Sequence, residues 1–398
     1  MKAETEHAAA GQDSKAARPA GPSRLVFVDS LRWVMIVLVV SMHAAVTYSR
    51  IGSWYFMEDS KPGLGLTVCF ATYQTFLQAF FMGLLFLIAG YFVPGAFDRK
   101  GWGKFLKDRA VRLGIPTLLY MLVVHPVTVY WLLRNFGHPD YPSLAEAYWP
   151  FISKGRFLGG SGPMWFAFAL LLFSLGYSVL RWAKARPART DSPAALPTHG
   201  QVAGLIVVMG LCSFLVRIIQ PIGTSVMNFQ FCFFSQYILL FAVGIMAWRG
   251  DWLARLPSAF GLRWFGLAWT VGVLAWFALL GAIFGTRTEA KLYGGFTWQS
   301  AALCFWESFF CVGQCLGWLV LFRDRWNSQG PLARWLSDNS FAVYFFHPPV
   351  LIAITLAMRG WIAPKPAKFL CATVLGVIAT YLVSSLILRR IPLLKRVL

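Results

Sequence analysis

The sequence predicts an all-α integral membrane protein with about ten transmembrane helices and both termini in the cytoplasm. Of its 398 residues, 58% are hydrophobic and only 13% are charged. A soluble globular domain contains about 25% charged and about 45–50% apolar residues. The composition, the apolar stretches and the distribution of Lys and Arg therefore lead to the same fold class.

Ten stretches are long enough to cross a membrane as helices. The hydrocarbon core is about 30 Å thick and needs roughly 20 mainly apolar residues. The stretches lie near residues 25–48, 65–93, 114–133, 162–180, 201–220, 230–248, 264–285, 300–322, 339–358 and 367–388. We interpret residues 25–398 as one membrane domain. Residues 1–24 are small and polar and are predicted to form a disordered cytoplasmic tail.

The Lys and Arg residues predict the orientation. If the N-terminus is cytoplasmic, 24 of the 36 lie in cytoplasmic segments and 10 in outer segments, while Arg32 and Arg217 lie within spans. Cytoplasmic loops of membrane proteins carry this excess. The net charge of +20 is spread over these loops, so we expect contact with anionic lipids and none with nucleic acid.

The seven cysteines predict no metal site. All of them lie in apolar stretches, where thiols behave as small hydrophobic groups. They are Cys69, Cys212, Cys232, Cys304, Cys311, Cys315 and Cys371.

Arg32 and His43 place two ionisable side chains in the first apolar stretch. They are eleven positions apart, so on a helix they share one face at a separation of about 16 Å. A buried arginine costs about 2.5–3.5 kcal/mol on insertion scales, and such residues usually line a cavity or pathway. The alternative is that Arg32 reaches the cytoplasmic headgroups and His43 hydrogen-bonds a neighbouring helix.

The pattern of arginine, ten residues and histidine resembles the acyltransferase-3 family of polytopic bacterial membrane enzymes. Four further segments resemble that family and are spread over nearly the whole chain. The five matching segments are RWVMIVLVVSMH (32–43), FLIAGYF (86–92), RAVRLGIP (109–116), GPMWFAFALL (162–171) and SFAVYFFHPPVL (340–351). The segments DSLR (29–32) and GPMWF (162–166) look most like the branch of periplasmic glucan succinyltransferases. Ala89 departs from the family, where many relatives carry serine.

The resemblance implies an acyl transfer in the bacterial inner membrane. An acetyl or succinyl type of group would pass from cytoplasmic acyl-CoA to a hydroxyl of a glycan, a lipid-linked acceptor or another envelope molecule at the outer face. Acyl-CoA would be a substrate, and no bound cofactor is expected.

This chemistry assigns roles to several residues. His43 is the candidate general base because the pKa of imidazole suits proton transfer near neutral pH. Acyl-CoA carries several phosphate charges, so Arg32, Arg109 and Arg112 are candidates for binding it. For Arg109 and Arg112, the alternative is a purely topological role. Glu307 reaches about the depth of His43 and is expected to orient its imidazole, or else to pair with a polar group of another helix.

Three further residues are candidates for substrate binding. His347 precedes Pro348 and Pro349, which kink a helix and in membranes tend to border a cavity. It is expected to bind the acceptor or the thioester, or to pack beside the kink. Trp165 is expected to stack on a sugar or to anchor the membrane interface. Arg217 is expected to bind the acceptor or a dicarboxylic acyl group, or to reach the headgroups.

A secondary transporter or flippase of a lipid-linked glycan is the alternative function. Such proteins also contain ten spans and buried charges, and many have two halves with matching broken helices. The sequence shows one clear break, at residues 348–349, which favours the enzyme.

Overall fold

The computed structural model describes residues 25–137, 142–183 and 194–395. Over these residues the chain forms helices and no strand. Ten helical stretches are long and apolar enough to cross a membrane: Val26–Ser49, Leu64–Lys100, Trp102–Phe136, Gly162–Ala183, His199–Ile219, Phe231–Gly250, Ser258–Thr286, Trp298–Arg325, Pro331–Ala357 and Lys365–Arg390. The prediction of an all-α protein with about ten spans is confirmed. The tail predicted at residues 1–24 lies outside the described residues.

The number of spans places both described ends of the chain on one side of the bundle. We call this side, where residues 25 and 390 lie, the terminal face, and the other side the opposite face. Arg32 of the first span and Arg389 of the tenth line the same cavity. Arg389 also donates a hydrogen bond to Asn339 at 3.3 Å.

The first span is central to the arrangement. It contacts the second, eighth, ninth and tenth spans. The second span packs on the sixth, where Gly90 and Gly244 bring the two backbones together: a Cβ at Gly90 would lie 2.2 Å from the Phe241 carbonyl oxygen, and one at Gly244 2.1 Å from that of Leu87. Small residues allow this close approach, which is a main source of packing energy between membrane helices.

The second span is longer than predicted and is interrupted. It consists of the helices Leu64–Gln78 and Phe81–Lys100, and Phe80 leaves the helical conformation with φ −133°. The carbonyl of Ala79 at this break accepts a hydrogen bond from the side-chain amide of Gln236 at 2.6 Å. A side chain from the sixth span thus hydrogen-bonds the backbone carbonyl that the break leaves without a helical partner. Such a partner is needed because no water is available in apolar surroundings.

The third span is also longer than predicted and contains π-helical turns. Two of them, Ala110–Gly114 and Tyr120–Val124, lie just before Pro116 and Pro126. Proline has no N–H for the carbonyl four residues earlier, so the helix widens there. The carbonyl of Leu122, which Pro126 cannot reach, accepts the hydroxyl of Tyr148 at 2.9 Å instead.

Candidate active site

A cavity of about 450 Å³ lies between the spans towards the opposite face. Its volume is within the range of small-molecule sites, about 300–1,000 Å³. Aromatic rings and polar side chains line it together. They include His43, Trp54, Tyr55, Gln78, His125, Trp165, Asn228, Gln230, Tyr237 and Tyr344. We call it the histidine cavity.

His43 lies in the wall of the histidine cavity, one and a half turns before the end of the first span. The indole of Trp54 covers one face of its ring, with centroids 3.8 Å apart and planes inclined by 14°. Among the described residues, none hydrogen-bonds the ring nitrogens of His43. A ring of this kind is free to hydrogen-bond a bound substrate, which is the geometric requirement for a general base.

His347 lies beside His43 and is completely buried. The two ring centroids are 5.3 Å apart. The Nδ1 of His347 donates to the carbonyl oxygen of Tyr344 at 2.8 Å, an acceptor that is available because Pro348 has no N–H to offer it. His347 is not among the residues that line the histidine cavity, so the structure places it behind the site.

Glu307 does not pair with His43, so that expectation from the sequence was wrong, and the stated alternative of a polar partner on another helix is the one found. It accepts a hydrogen bond from Nη2 of Arg217 in a buried ion pair. Arg217 is 1% exposed, so it does not reach the headgroups, and it lines none of the cavities described here. Its guanidinium also lies 5.2 Å from the ring centre of Phe233. A full positive charge compensates a buried carboxylate better than a neutral imidazole does.

Trp165 lies in the wall of the histidine cavity at the start of the fourth span. It stacks on Tyr237, with ring centroids 5.6 Å apart and planes inclined by 29°. The two rings form a broad aromatic surface facing the same space as His43.

Several residues of this site were missed by the sequence interpretation, and three of them contact one another or His43. Trp54 and Tyr55 come from the loop after the first span, and His125 comes from the third span. The hydroxyl of Tyr55 hydrogen-bonds Nδ1 of His125 at 2.8 Å and the hydroxyl of Tyr120 at 3.1 Å. Burial raises the pKa of Tyr55 to about 12, so this hydroxyl stays neutral. The sequence feature that could have identified His125 is the His–Pro pair at 125–126, which repeats the pair at 347–348.

Glu58 fixes the loop 50–63 to the tenth span. Its carboxylate accepts hydrogen bonds from Lys365 at 2.8 Å and from Lys368, and its backbone N–H donates to the Thr47 carbonyl at 2.9 Å. Burial alone would raise the pKa of Glu58, but the hydrogen bonds and charges of the two lysines outweigh it and hold this pKa below its ordinary value. The loop is therefore held where it carries Trp54 and Tyr55 into the cavity.

Replacing Glu58 by Gln should loosen this loop. Loss of charge-assisted hydrogen bonds should raise amide exchange over residues 50–63 by roughly tenfold, measured by hydrogen–deuterium exchange. Because the pKa of Glu58 is lowered in the folded protein, its contribution is present above the ordinary value of 4.5 and is lost as the pH falls through the lowered one. Asp59→Asn is the control, since Asp59 is 92% exposed. Equal exchange in both variants would contradict this role.

A basic cavity of about 790 Å³ lies at the terminal face. It is lined by five cationic side chains and three acidic ones: Arg32, Arg99, Lys100, Arg109, Arg112, Asp29, Asp108 and Asp251. The structure thus brings together Arg32, Arg109 and Arg112, the three arginines that the sequence analysis named as candidates for binding acyl-CoA. The guanidinium of Arg32 also lies 5.0 Å from the ring centre of Phe92.

A third cavity, of about 500 Å³, shares wall residues with each of the other two. It shares Arg32, Arg109 and Arg112 with the basic cavity, and it shares Tyr344 with the histidine cavity. Ala89, the departure from the family pattern, lies in its wall. We call it the connecting cavity. Among the described residues, no group of three His, Cys, Asp or Glu side chains is placed to hold a metal ion.

Comparisons with known proteins identify the family of the chain. A family model described as an acyltransferase domain, that of the acyltransferase-3 family, matches residues 25–389. The chain is similar to glucans biosynthesis protein C of Salmonella paratyphi A, with 24% identity over 393 residues that cover 94% of each chain. The proteins of the same name from Salmonella agona and Salmonella heidelberg show the same identity and coverage. No solved structure matches the chain. Because the family match covers most of the sequence, the chain belongs to the acyltransferase-3 family and is a multi-pass membrane acyltransferase.

Proposed function

We propose that this protein transfers an acyl group, of the acetyl or succinyl type, from acyl-CoA to a hydroxyl of a glucan or related envelope glycan. The donor binds in the basic cavity, and the acceptor binds in the histidine cavity. The observation that carries this proposal is the succession of three adjoining cavities, which share Arg32 at one junction and Tyr344 at the other. Membership of an acyltransferase family favours this function over a transporter.

The terminal face is assigned to the cytoplasm. The excess of Lys and Arg in the segments on that side supports this orientation, and cytoplasmic acyl-CoA then meets the basic cavity directly. The opposite face then contacts the periplasm, where an envelope glycan is available. This assignment places the protein in a bacterial inner membrane.

Arginines of the basic cavity bind the phosphates of the donor in this proposal. A guanidinium offers two parallel N–H groups to a phosphate, which a lysine ammonium does not. The connecting cavity then takes the long pantetheine arm between mostly apolar walls, including Ile36, Leu85 and Ile88. The helix rise between Arg32 and His43, about 16 Å, is the distance that this arm has to cover.

The histidine cavity suits a sugar. Trp165 presents an aromatic surface on which the apolar face of a pyranose ring stacks, and the amides of Asn228 and Gln230 line the same space. Proteins named for glucan biosynthesis are among the relatives, which supports a glucan as the acceptor.

His43 acts as the general base. It removes the proton of the acceptor hydroxyl, and the oxygen attacks the thioester carbonyl carbon. A C–O bond forms, the C–S bond breaks, and the protonated imidazole returns its proton to the CoA sulfur. The products are the acylated glycan and free CoA, and His43 is neutral again. Glu307 has no part in this step because it is paired with Arg217.

Replacing both Arg109 and Arg112 by Gln should raise the KM for acyl-CoA by roughly 10–100-fold, because charge-assisted hydrogen bonds to phosphate are lost. The kcat at saturating donor should change little. Lys at both positions should restore part of the affinity. The assay measures acyl-CoA consumption by the purified protein at a range of donor concentrations.

Arg263→Gln is the matched control for this experiment. Arg263 is an exposed cation at the terminal face and lines none of the three cavities. Its replacement should leave the KM unchanged. An unchanged KM in the variant lacking Arg109 and Arg112 would return these two arginines to a topological role.

A further inference from the structure

The rings of His43, Trp54 and His347 have a defined mutual arrangement. Their planes are nearly parallel, with inclinations of 14°, 16° and 8°. The centroid separations are 3.8 Å for His43–Trp54, 5.3 Å for His43–His347 and 6.2 Å for Trp54–His347, which make a nearly right angle at His43. Because Trp54 covers the face of His43, His347 lies at its edge.

The hydrogen bond to the Tyr344 carbonyl determines the tautomer of the neutral His347 ring. A carbonyl oxygen only accepts hydrogen bonds, so the Nδ1 that contacts Tyr344 carries the proton. In the neutral ring, Nε2 is then an acceptor with a lone pair. The proline at position 348 maintains this state, since any other residue there would offer its own N–H to the same carbonyl.

The Nε2 of His347 is buried and has no hydrogen-bond partner among the described residues. An acceptor left unpaired in an apolar interior is costly. The polar group beside this acceptor is the adjacent edge of the His43 ring. Two imidazole rings that lie edge to edge with centroids 5.3 Å apart leave roughly 3 Å between their nearest ring atoms, which is the range of a hydrogen bond. A half-turn of the His43 ring exchanges its nitrogen and carbon positions and keeps it in its plane beneath Trp54.

We propose that His347 is a positioning residue for His43, accepting a hydrogen bond at Nε2 from the His43 N–H that points away from the histidine cavity. This fixes the tautomer of His43 with its unprotonated nitrogen towards the acceptor hydroxyl. During transfer, the His43 ring holds the acceptor proton on its cavity side and keeps its rear N–H on His347, whose own proton stays on Nδ1. His347 thus fulfils the role that the sequence assigned to Glu307. The inference rests on the proposed role of His43 as the base.

The test compares five variants of the full-length protein in lipid nanodiscs, with acetyl-CoA and succinyl-CoA as donors and glucose oligosaccharides as acceptors. His347→Leu removes the acceptor atom and should lower kcat by roughly 10–100-fold with little change in the KM for the donor. His347→Gln retains an acceptor oxygen and should recover part of this loss. Free CoA and acylated oligosaccharide are measured by mass spectrometry.

Two proline variants separate positioning from packing. Pro348→Ala restores an N–H that competes for the Tyr344 carbonyl and should lower kcat several-fold. Pro349→Ala is the matched control, because its restored N–H addresses the Phe345 carbonyl, and it should leave kcat near its normal value. Equal effects of the two proline variants would overturn the inference, and so would a normal kcat in His347→Leu. Either result alone is sufficient, so the inference stays testable if His347→Leu or one of the proline variants inserts poorly.

His43→Ala in the same assay distinguishes a failure of the positioning role of His347 from a failure of the proposed role of His43 as the base. Loss of activity in His43→Ala together with normal kcat in His347→Leu would overturn the positioning role alone. Normal activity in His43→Ala would overturn the proposed mechanism, and the positioning role would fall with it.

Discussion

His43→Ala should lower kcat by roughly 10²–10⁴, the usual contribution of a general base. The variant should still insert and fold, because alanine removes a polar group from an apolar span and leaves the Trp54 indole over a small side chain. His43→Gln should be equally impaired, since an amide forms hydrogen bonds but does not take up a proton near neutral pH. The measurement is kcat with purified protein at saturating donor and acceptor.

His199→Ala is the control for this experiment. His199 begins the fifth span at the terminal face, where its Nδ1 accepts a hydrogen bond from Trp264 at 3.1 Å, and it lines none of the three cavities. The same chemical change there should leave kcat within a factor of two or so of its normal value. A well-inserted His43→Ala protein with near-normal kcat would leave His43 as a packing residue.

Breaking the Arg217–Glu307 pair should destabilise the protein strongly. Glu307→Leu leaves a guanidinium that is 1% exposed without its counterion, and removal of one partner of a buried ion pair costs about 3–5 kcal/mol. The double variant Arg217→Met, Glu307→Leu removes both charges and should recover most of the loss. Thermal unfolding in detergent, followed by tryptophan fluorescence, measures both.

We infer that Glu307 serves stability, and the same variants test that inference. In the double variant, the folded fraction should retain near-normal kcat because neither residue contacts the histidine cavity. A double variant that is as unstable as Glu307→Leu would contradict the account of the pair. A stable one with kcat as low as that of His43→Ala would restore a catalytic role to Glu307.

The ten spans were predictable because the length and apolar composition of a single stretch decide whether it can cross a membrane as a helix. The structure confirms the number of such stretches. The break at Ala79–Phe80 was not visible because the apolar run continues through it. The group that satisfies its free carbonyl, Gln236, comes from another span.

Only the part of the site that lies on a single helix could be predicted from the sequence. The shared face of Arg32 and His43 follows from the helical repeat, and the structure places them at two successive cavities. The predicted pairing of Glu307 with His43 was wrong because the depth of a residue along the membrane normal contains no information about its position within the membrane plane. Trp54 was missed because its position depends on a loop held by Lys365 and Lys368, more than 300 residues away in sequence.

Sided proteoliposomes show whether the acyl group passes from a donor at the terminal face to an acceptor at the opposite face. Glucose oligosaccharides are enclosed in vesicles whose protein has its terminal face outwards, a population selected by a tag on that face. Labelled acetyl-CoA or succinyl-CoA is added outside only. We expect labelled oligosaccharide inside the vesicles and an equal amount of free CoA outside, with both abolished in His43→Ala. Labelling only of oligosaccharide added outside, on the same side as the donor, would contradict it.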